Sequence, residues 1–419
     1  MLQKQIVSGV NLNINRTKRW QANVLTCHFV GPAANASQTA LTLLARLLSR
    51  GCQAYPQNDQ LNLALARLYG ANLRVEHQLL GNWQDLYFEI SYVDPDHNGE
   101  IGLQALSLLK QLVFEPLFKV AHFGIQAFDL EYQALKNELT DLKNDHDFEA
   151  YALTKVAFFH ETYAQQPTIG SLAELAQLDY QQLATLYQQL VNNWRVELFA
   201  SGQSLPDNET LSDWNFTARL GQLPEVAVAQ QHVALQKIER EVVGQQTHLT
   251  LAYQLPKLVQ ADNHDRDVLR VLVAYLGGDE QSLLFRQVRE KHGLAYDVSA
   301  RDDLLLGWLV IEAGVDATQI SSALAAIQTV IEQAALQIDQ QLLTAEANNL
   351  LNQQIRSLDS IHFQQSRLFR NALFPERQRD LQQITASLQQ VTTEELRALA
   401  AQLQLKVVTI VKNSQAVQS

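Results

Sequence analysis

Apolar residues recur every three to four positions along much of the chain, a period that predicts amphipathic helices. In SQTALTLLARLLSR, residues 37–50, Leu41, Leu44 and Leu48 share one helical face, and a serine or threonine at the start can cap the helix. Gly51 follows directly, and glycine commonly ends helices. The pattern therefore predicts a helix over these residues.

A second helix and a hairpin are predicted next. DQLNLALARLYG has helical spacing and ends at Gly70. The following NLRVEHQLLGNWQDLYFEISYVD alternates apolar and polar residues on both sides of a Leu-Gly-Asn turn, as two antiparallel strands joined by a tight turn do. This part of the chain is thus predicted to form two helices followed by a hairpin.

The same order of elements recurs later in the chain. GANLRVEHQLLGNWQDLYFEISYVD, starting at Gly70, and GLAYDVSARDDLLLGWLVIEAGVD, starting at Gly293, have nearly equal lengths, a central Leu-Gly turn and a closing Val-Asp. Both halves also end in a helical pattern that leads into an apolar strand, WRVELFASG in the first and LKVVTIVKN in the second. We interpret this as an internal duplication of about 200 residues, which predicts two copies of one globular fold.

The predicted strands occur as adjacent hairpins and do not alternate singly with helices. This arrangement favours an α+β fold in which each copy is an antiparallel sheet with helices packed on one face. The chain has 419 residues, more than one domain of roughly 100–200 residues needs. A stretch rich in Pro, Asp, Asn, Ser and Gly separates the copies, so we predict a first domain at 1–205, a linker at 206–236 and a second domain at 237–419.

The composition of the chain argues against several classes of function. The net charge of -12 would repel a phosphate backbone or an anionic membrane, which argues against nucleic-acid or membrane partners. We find no signal-peptide pattern and no long apolar run, and we expect a soluble cytoplasmic protein. The two cysteines, Cys27 and Cys52, are too few for a disulfide framework or a structural zinc site and are interpreted as small core residues.

The segment SLLFRQVREKHGLAYDVSA, residues 282–300, together with the duplicated layout, resembles the second-domain signature of the pitrilysin or insulinase family. These are the zinc peptidases with the inverted motif His-x-x-Glu-His, and they include mitochondrial processing peptidase. The resemblance implies an insulinase-like fold for each half, with two such pairs of halves closing around an unfolded peptide.

Active members of that family carry His-x-x-Glu-His on the first helix of the first half, where the spacing brings both histidines to one zinc. Aligning TALTLLARLLSRG with this pattern places Thr42, Ala45 and Arg46 at the two histidine positions and the glutamate position. None of them can perform these tasks. The two nearest histidines in the chain are fourteen positions apart, so the motif occurs nowhere else.

Glu131 and Glu138 in EYQALKNELTDLKND lie seven apart on one predicted helix face, as the distal glutamate pair of the family would. Glu138 resembles the third zinc ligand. One carboxylate without the histidines holds zinc weakly, so both glutamates are interpreted as vestigial, on a solvated helix face.

Arg289 and Tyr296 resemble the family's Arg/Tyr pair. A turn through Gly293 could bring both onto one surface, where in active relatives they bind the substrate backbone and steady the oxyanion. The competing interpretation is an arginine near a helix C-terminus and a tyrosine packed at a sheet edge.

Bacterial members of the family are often pairs, in which one chain carries the zinc motif and the other lacks it but keeps the Arg/Tyr pair. The resemblance therefore implies a non-catalytic subunit of a heterodimeric zinc endopeptidase, with zinc in the partner subunit only and a peptide or unfolded protein as substrate. The alternative is a purely structural insulinase-like protein. Whether the chain forms a homodimer when alone is left open.

The segment YPQNDQLNLALARLYGANL further resembles a paired subgroup of low-GC Gram-positive bacteria whose names refer to modification of elongation factor P. Nothing in the residues explains that link physically. The long glycine-rich loop of the mitochondrial non-catalytic subunit is not expected here, because only LGGDEQS precedes the matching helix.

Overall fold

Strands and helices follow the predicted order in a computed structural model, which describes residues 2–219, 223, 225–229, 231, 234–242, 246–256 and 262–413. Within these residues the strands are β1 Leu2–Val7, β2 Val10–Arg16, β3 Ala22–Pro32, β4 Asn72–Leu80, β5 Trp83–Val93, β6 Arg195–Gly202, β7 Gln236–Val242, β8 Thr247–Gln254, β9 Asp297–Asp303, β10 Trp308–Val315 and β11 Gln404–Asn413.

The α-helices of the described residues are α1 Gln38–Leu48, α2 Asn58–Arg67, α3 Glu100–Phe114, α4 Ala121–Leu142, α5 His146–Phe158, α6 Thr162–Gln165, α7 Leu172–Leu175, α8 Tyr180–Asn193, α9 Asn208–Ser212, α10 Asn263–Gly277, α11 Ile320–Leu336, α12 Gln340–Ser357, α13 Ile361–Leu373, α14 Leu381–Gln390 and α15 Thr393–Ala400. A π-helix spans Phe285–Lys291. None of the helices in the described part of the chain is both long and apolar enough to cross a bilayer.

The two sheets share one strand order, which supports the inferred duplication. The first sheet runs β1-β2-β6-β3-β5-β4 and the second runs β7-β11-β8-β10-β9, so the second sheet repeats the first once β1 is set aside. The predicted α+β class with two sheet-and-helix units is confirmed. The sheets are not wholly antiparallel, however, because β2 pairs with β6 and β7 with β11 in parallel.

The turns before β4 and β9 also match. Gly70 and Gly293 both have positive φ, 74° and 62°, a conformation that glycine adopts without steric cost. The amide of Gly70 donates to the carbonyl of Ala66 and that of Ala71 to Leu65, while Gly293 donates to Arg289 and Leu294 to Val288. Gly70 and Gly293, which the sequence aligns, therefore lie in turns with equivalent hydrogen bonds.

The first unit comprises Met1–Leu139, Thr168–Glu225 and Leu358–Glu376. Its core lies between one face of the sheet, including Leu25, Cys27 and Phe29 of β3, and helices α1, α3, α4 and α8. The other face carries the alternating residues of β3, and there Thr26 accepts a hydrogen bond from Gln365 of α13 at 3.1 Å. A helix therefore covers part of the second face, in addition to the predicted helices on one face.

The second unit comprises Thr140–Pro167, Val226–Ser357 and Arg377–Ser419. Its core packs one face of the second sheet against α10, α11, α12, α14 and α15. On the opposite face lies α5, where the hydroxyls of Thr154 and of Thr409 in β11 are 2.7 Å apart. Each unit thus includes one helical segment from the other half of the sequence.

The predicted domain boundaries at 205 and 237 describe sequence halves and stay a prediction. Of the predicted linker 206–236, residues 220–222, 224, 230 and 232–233 lie outside the described residues, and α9 occupies Asn208–Ser212.

Candidate functional site

Helix α1 carries the positions aligned with the zinc motif. The Ser37 side chain caps it by accepting from the amide of Ala40 at 3.2 Å, and ten of its eleven residues are buried because the helix packs directly on the sheet. Thr42 and Ala45 are buried, and Arg46, in the last turn, is half-buried. The helical spacing places Thr42 and Arg46 on one face, as the sequence predicted.

Two arginine–glutamate pairs join α1 and the residues directly after it to α4. The Arg46 guanidinium donates to the Glu138 carboxylate at 2.6 Å, and Arg50, one turn later, pairs with Glu131. Glu138 is exposed, but the prediction of a solvated helix face is wrong for Glu131, which is buried where it pairs with Arg50. The structure therefore brings Arg46, aligned with the second histidine of the motif, together with Glu138, aligned with the third ligand. Where the motif has an imidazole that binds metal, this chain has a guanidinium.

Thr42, at the first histidine position, takes part in a half-buried polar contact. Its hydroxyl donates to the carbonyl of Thr168 at 3.0 Å, so it accepts from Nε2–H of His77, 2.8 Å away on β4. Nδ1 of His77 is then the acceptor nitrogen, and it is buried without a hydrogen-bond partner among the described residues. Burial lowers the pKa of His77 to about 4, so the ring is neutral at pH 7.

This arrangement does not fit a zinc ion. Threonine, alanine and arginine supply no strong zinc ligand, and the positive charge of Arg46 already neutralises Glu138. The described residues contain no group of three or more His, Cys, Asp and Glu side chains placed to hold a metal. We therefore derive no hydrolytic step at these residues.

The neutral state of His77 predicts a loss of stability in acid. Its ordinary pKa is 6.5 and its folded value about 4, so below pH 6.5 the unfolded chain takes up a proton that the folded chain does not. We expect His77 to lower the free energy of unfolding by about 2–3 kcal/mol between pH 7.5 and 4.5. Urea unfolding at both pH values should show a smaller loss for His77→Gln than for the wild type.

The exposed His292 provides the matched control. His292→Gln should lose as much stability as the wild type over the same range. Equal losses in His77→Gln and the wild type would contradict a neutral His77 in the folded chain.

Arg289 lies in the π-helix of the second unit and is exposed. π-helical turns are rare and frequently occur at functional sites. The guanidinium carbon lies 4.5 Å from the ring centroid of Phe285, one turn earlier, so the ring supports the planar group from one side. Within the described part of the chain, Arg289 takes part in no ion pair or side-chain hydrogen bond.

Tyr296 precedes β9, an edge strand of the second sheet, and its side chain is 55% exposed. Its amide donates to the carbonyl of Gly314 at 2.8 Å, which anchors the backbone beside β10. The bonds through Gly293 and Leu294 close the turn between the two residues, as the sequence predicted. Arg289 and Tyr296 are thus exposed residues on either side of the turn through Gly293.

His77 and Arg50 were not predicted from the sequence. Strand alternation in NLRVEHQLL places His77 on the same face as Val75 and Leu79, which was a sign that the histidine points inward. Arg46 and Arg50 are four positions apart, and Glu131 and Glu138 are seven apart, so each pair shares one side of a helix. Two ion pairs between these arginines and glutamates could have been predicted from this spacing.

Comparisons with known proteins relate the chain to a class of peptidases. Residues 177–350 match the family described as "Peptidase M16 inactive domain". A "Probable inactive metalloprotease YmfF" of Bacillus subtilis is 22% identical over 327 residues, 76% of each chain. An "Uncharacterized zinc protease YmxG" of the same organism is 32% identical over 176 residues, 40% of this chain and 41% of its own length.

Solved structures support the fold. A conserved protein from Enterococcus faecalis V583 superposes with a TM-score of 0.91 and 24% identity, covering 99% of this chain and 98% of its own. A peptidase M16 inactive domain from Pseudomonas fluorescens gives a TM-score of 0.79 and 15% identity, covering 98% and 97%. At these identities the likeness concerns the fold alone.

Proposed function

We propose, from the premise that this chain is a non-catalytic homologue of the M16 peptidases, that it serves as the substrate-binding subunit of a two-chain zinc endopeptidase. The match to an M16 domain described as inactive, together with the relative named as an inactive metalloprotease, confirms the resemblance to the inverted-motif peptidases. The partner, the zinc and the substrate contacts belong to the proposal.

The observation that carries the proposal is the ion pair between Arg46 and Glu138. It fills the metal position with a guanidinium, so a complex that cleaves peptides must obtain its zinc and general base from another chain. That partner would be an insulinase-type subunit with His-x-x-Glu-His. A relative named as an uncharacterized zinc protease supports a partner of that kind.

Arg289 and Tyr296 supply the groups that such a subunit would need. A peptide backbone offers carbonyl acceptors and amide donors, and the scissile carbonyl develops negative charge during attack by water. The guanidinium held over Phe285 offers planar donors, and the phenol of Tyr296 can donate or accept. Both side chains are exposed, which favours the ligand-binding interpretation over a packed sheet-edge tyrosine.

The proposal is tested by isolating the complex and changing the pair. A tagged full-length chain is expected to co-purify from its source cell with a chain of similar size that carries His-x-x-Glu-His, and the complex should cleave an unfolded peptide. Arg289→Ala in the complex should cost about 2–4 kcal/mol of transition-state stabilisation in kcat/KM, and Tyr296→Phe a similar or smaller amount.

Arg286, exposed on the same π-helix, is the matched control. Arg286→Ala should leave kcat/KM near the wild-type value. Recovery of this chain only with itself would argue against the two-chain enzyme. Unchanged cleavage by Arg289→Ala and Tyr296→Phe in an active complex would support the purely structural alternative.

A further inference from the structure

The loop between β5 and α3 contains the one Asn-Gly dipeptide of the chain, Asn98-Gly99. Asn98 is exposed, and Gly99 has a positive φ of 84°. A side chain at Gly99 would project into open space, so the backbone nitrogen of this residue is sterically unhindered. Such a nitrogen, directly after an asparagine, can attack the side-chain amide, which is the first step of deamidation.

The Asp94 carboxylate lies beside this nucleophile. Its Oδ2 accepts a hydrogen bond from the Gly99 amide at 2.8 Å. Asp94 is only 2% exposed, and its Oδ1 has no hydrogen-bond partner among the described residues, so Gly99 is the one donor that they direct to this side chain. A carboxylate at hydrogen-bond distance is placed to accept the proton when the nitrogen attacks.

The side chain of Asn98 is held as the electrophile. Its Oδ1 accepts a hydrogen bond from the Glu100 amide at 3.0 Å, and this bond closes a turn that includes the Gly99 nitrogen. The Glu100 N–H polarises the side-chain carbonyl and stabilises the negative charge that develops on Oδ1 during attack. One loop therefore contains the nucleophile, the acceptor for its proton and a donor to the oxygen.

Two contacts of His97 fix the loop in this conformation. The His97 amide donates to the carbonyl of Asp94 at 3.2 Å, and Nδ1 of His97 lies 3.0 Å from the Ser204 hydroxyl. His97 has a positive φ of 51°, a conformation that costs energy for a residue other than glycine. The two contacts offset this cost and keep Asp94 beside Gly99.

We propose that Asn98 is a self-catalysed modification site, at which the fold promotes conversion of the side-chain amide to a carboxylate with water as the co-reactant. The Gly99 nitrogen forms a bond to Cγ of Asn98 and passes its proton to Asp94. The amide nitrogen of Asn98 takes up that proton and leaves as ammonia. Water then opens the cyclic imide to aspartate or isoaspartate. This inference does not depend on the proposed peptidase role.

Both products change the start of α3, which begins at Glu100. Aspartate at position 98 adds a negative charge beside the helix N-terminus, where the helix dipole favours it. Isoaspartate instead adds one methylene carbon to the main chain and removes the turn around Gly99. Because Leu106 and Leu109 of α3 belong to the core of the first unit, isoaspartate should increase hydrogen exchange in this helix.

Incubation of the folded full chain at pH 7.5, followed by peptide mapping with mass spectrometry, tests the site. Asn98 is expected to lose its amide well before Asn144, an exposed loop asparagine that precedes Asp145. Asp94→Asn keeps the shape of the side chain but removes the proton acceptor. It should slow the loss at Asn98 by at least about tenfold, a modest part of what a positioned general base contributes.

Asp96, an exposed acid in the same loop, provides the matched control. Asp96→Asn changes the net charge by the same amount and should leave the rate near the wild-type value. Unfolding the wild type in urea separates Asp94 from Gly99 and should also slow the loss, which tests the role of the fold even if Asp94→Asn does not fold.

A loss at Asn98 that is faster than at Asn144, and that both Asp94→Asn and urea slow, supports the proposal. It is overturned if Asn98 stays intact for as long as Asn144, if the folded wild type and folded Asp94→Asn react at equal rates, or if urea leaves the loss as fast or makes it faster.

Discussion

The double variant Thr42→His/Arg46→His is expected to bind about one zinc ion per chain, whereas the wild type should bind none stoichiometrically. The two positions lie four apart on one face of α1, and the Arg46 guanidinium already reaches Glu138 at 2.6 Å. Replacing the guanidinium with an imidazole removes the charge that excludes a cation and places two nitrogens and one carboxylate around one point. Elemental analysis of the dialysed protein measures the result.

Removing the Glu138 carboxylate tests whether the metal binds at the predicted site. Adding Glu138→Gln to the double variant should remove most of the zinc, because the amide is a much weaker ligand than the carboxylate. Thr42→His alone keeps Arg46 and should remain without zinc. A double variant that folds as judged by circular dichroism but binds no zinc would show that α1 and α4 no longer hold the geometry of a metal site.

Phe369→Ala is expected to lower the free energy of unfolding by about 3–5 kcal/mol, the usual cost of removing a large buried ring. Phe369 on α13 is 2% exposed and stacks on His28 of β3 with ring centroids 3.9 Å apart and planes at 13°. Its ring also packs edge-to-face with Phe199 of β6, with the ring centroids 6.2 Å apart. The ring therefore attaches α13 to two strands of the first sheet, and urea unfolding should record its loss.

Phe363, a partly exposed phenylalanine on the same helix, is the matched control. Phe363→Ala should cost clearly less, about 1 kcal/mol. Hydrogen exchange in Phe369→Ala should increase in β3 as well as in α13, since both lose a packing partner. Exchange that increases only in α13, or equal costs for the two variants, would contradict a stabilising role for this contact in the first unit.

Much of the fold could be predicted because the relevant signals are local. Period-two alternation around Leu-Gly turns predicted the hairpins β4–β5 and β9–β10, and the matched glycines predicted the duplication that the equal strand orders support. The sequence contains no such local signal for the parallel pairs β2–β6 and β7–β11. Pairing between strands that are distant in sequence depends on the sheet edge against which each strand packs.

The sequence predicts which residues form the candidate site, but it does not predict their contacts. Alignment of α1 with the family motif identified Thr42, Ala45 and Arg46 as substituted positions, and spacing identified Glu131 and Glu138 as one helix face. That Arg46 pairs with Glu138, and that His77 bonds to Thr42, depends on how α1 packs on α4 and β4. Spacing within one element carries no information about which element faces it.

Periodicity, turn residues and motif spacing were sufficient, without coordinates, to determine the α+β class, the two copies and the absence of a zinc motif. Only the tertiary structure decided that α13 completes the first unit and α5 the second, and that the guanidinium of Arg46 pairs with Glu138. The physical reason is the separation along the sequence between the residues that interact. Helix and strand patterns arise from neighbours a few residues apart, whereas the hydrogen bond from Gln365 to Thr26 joins residues 339 positions apart.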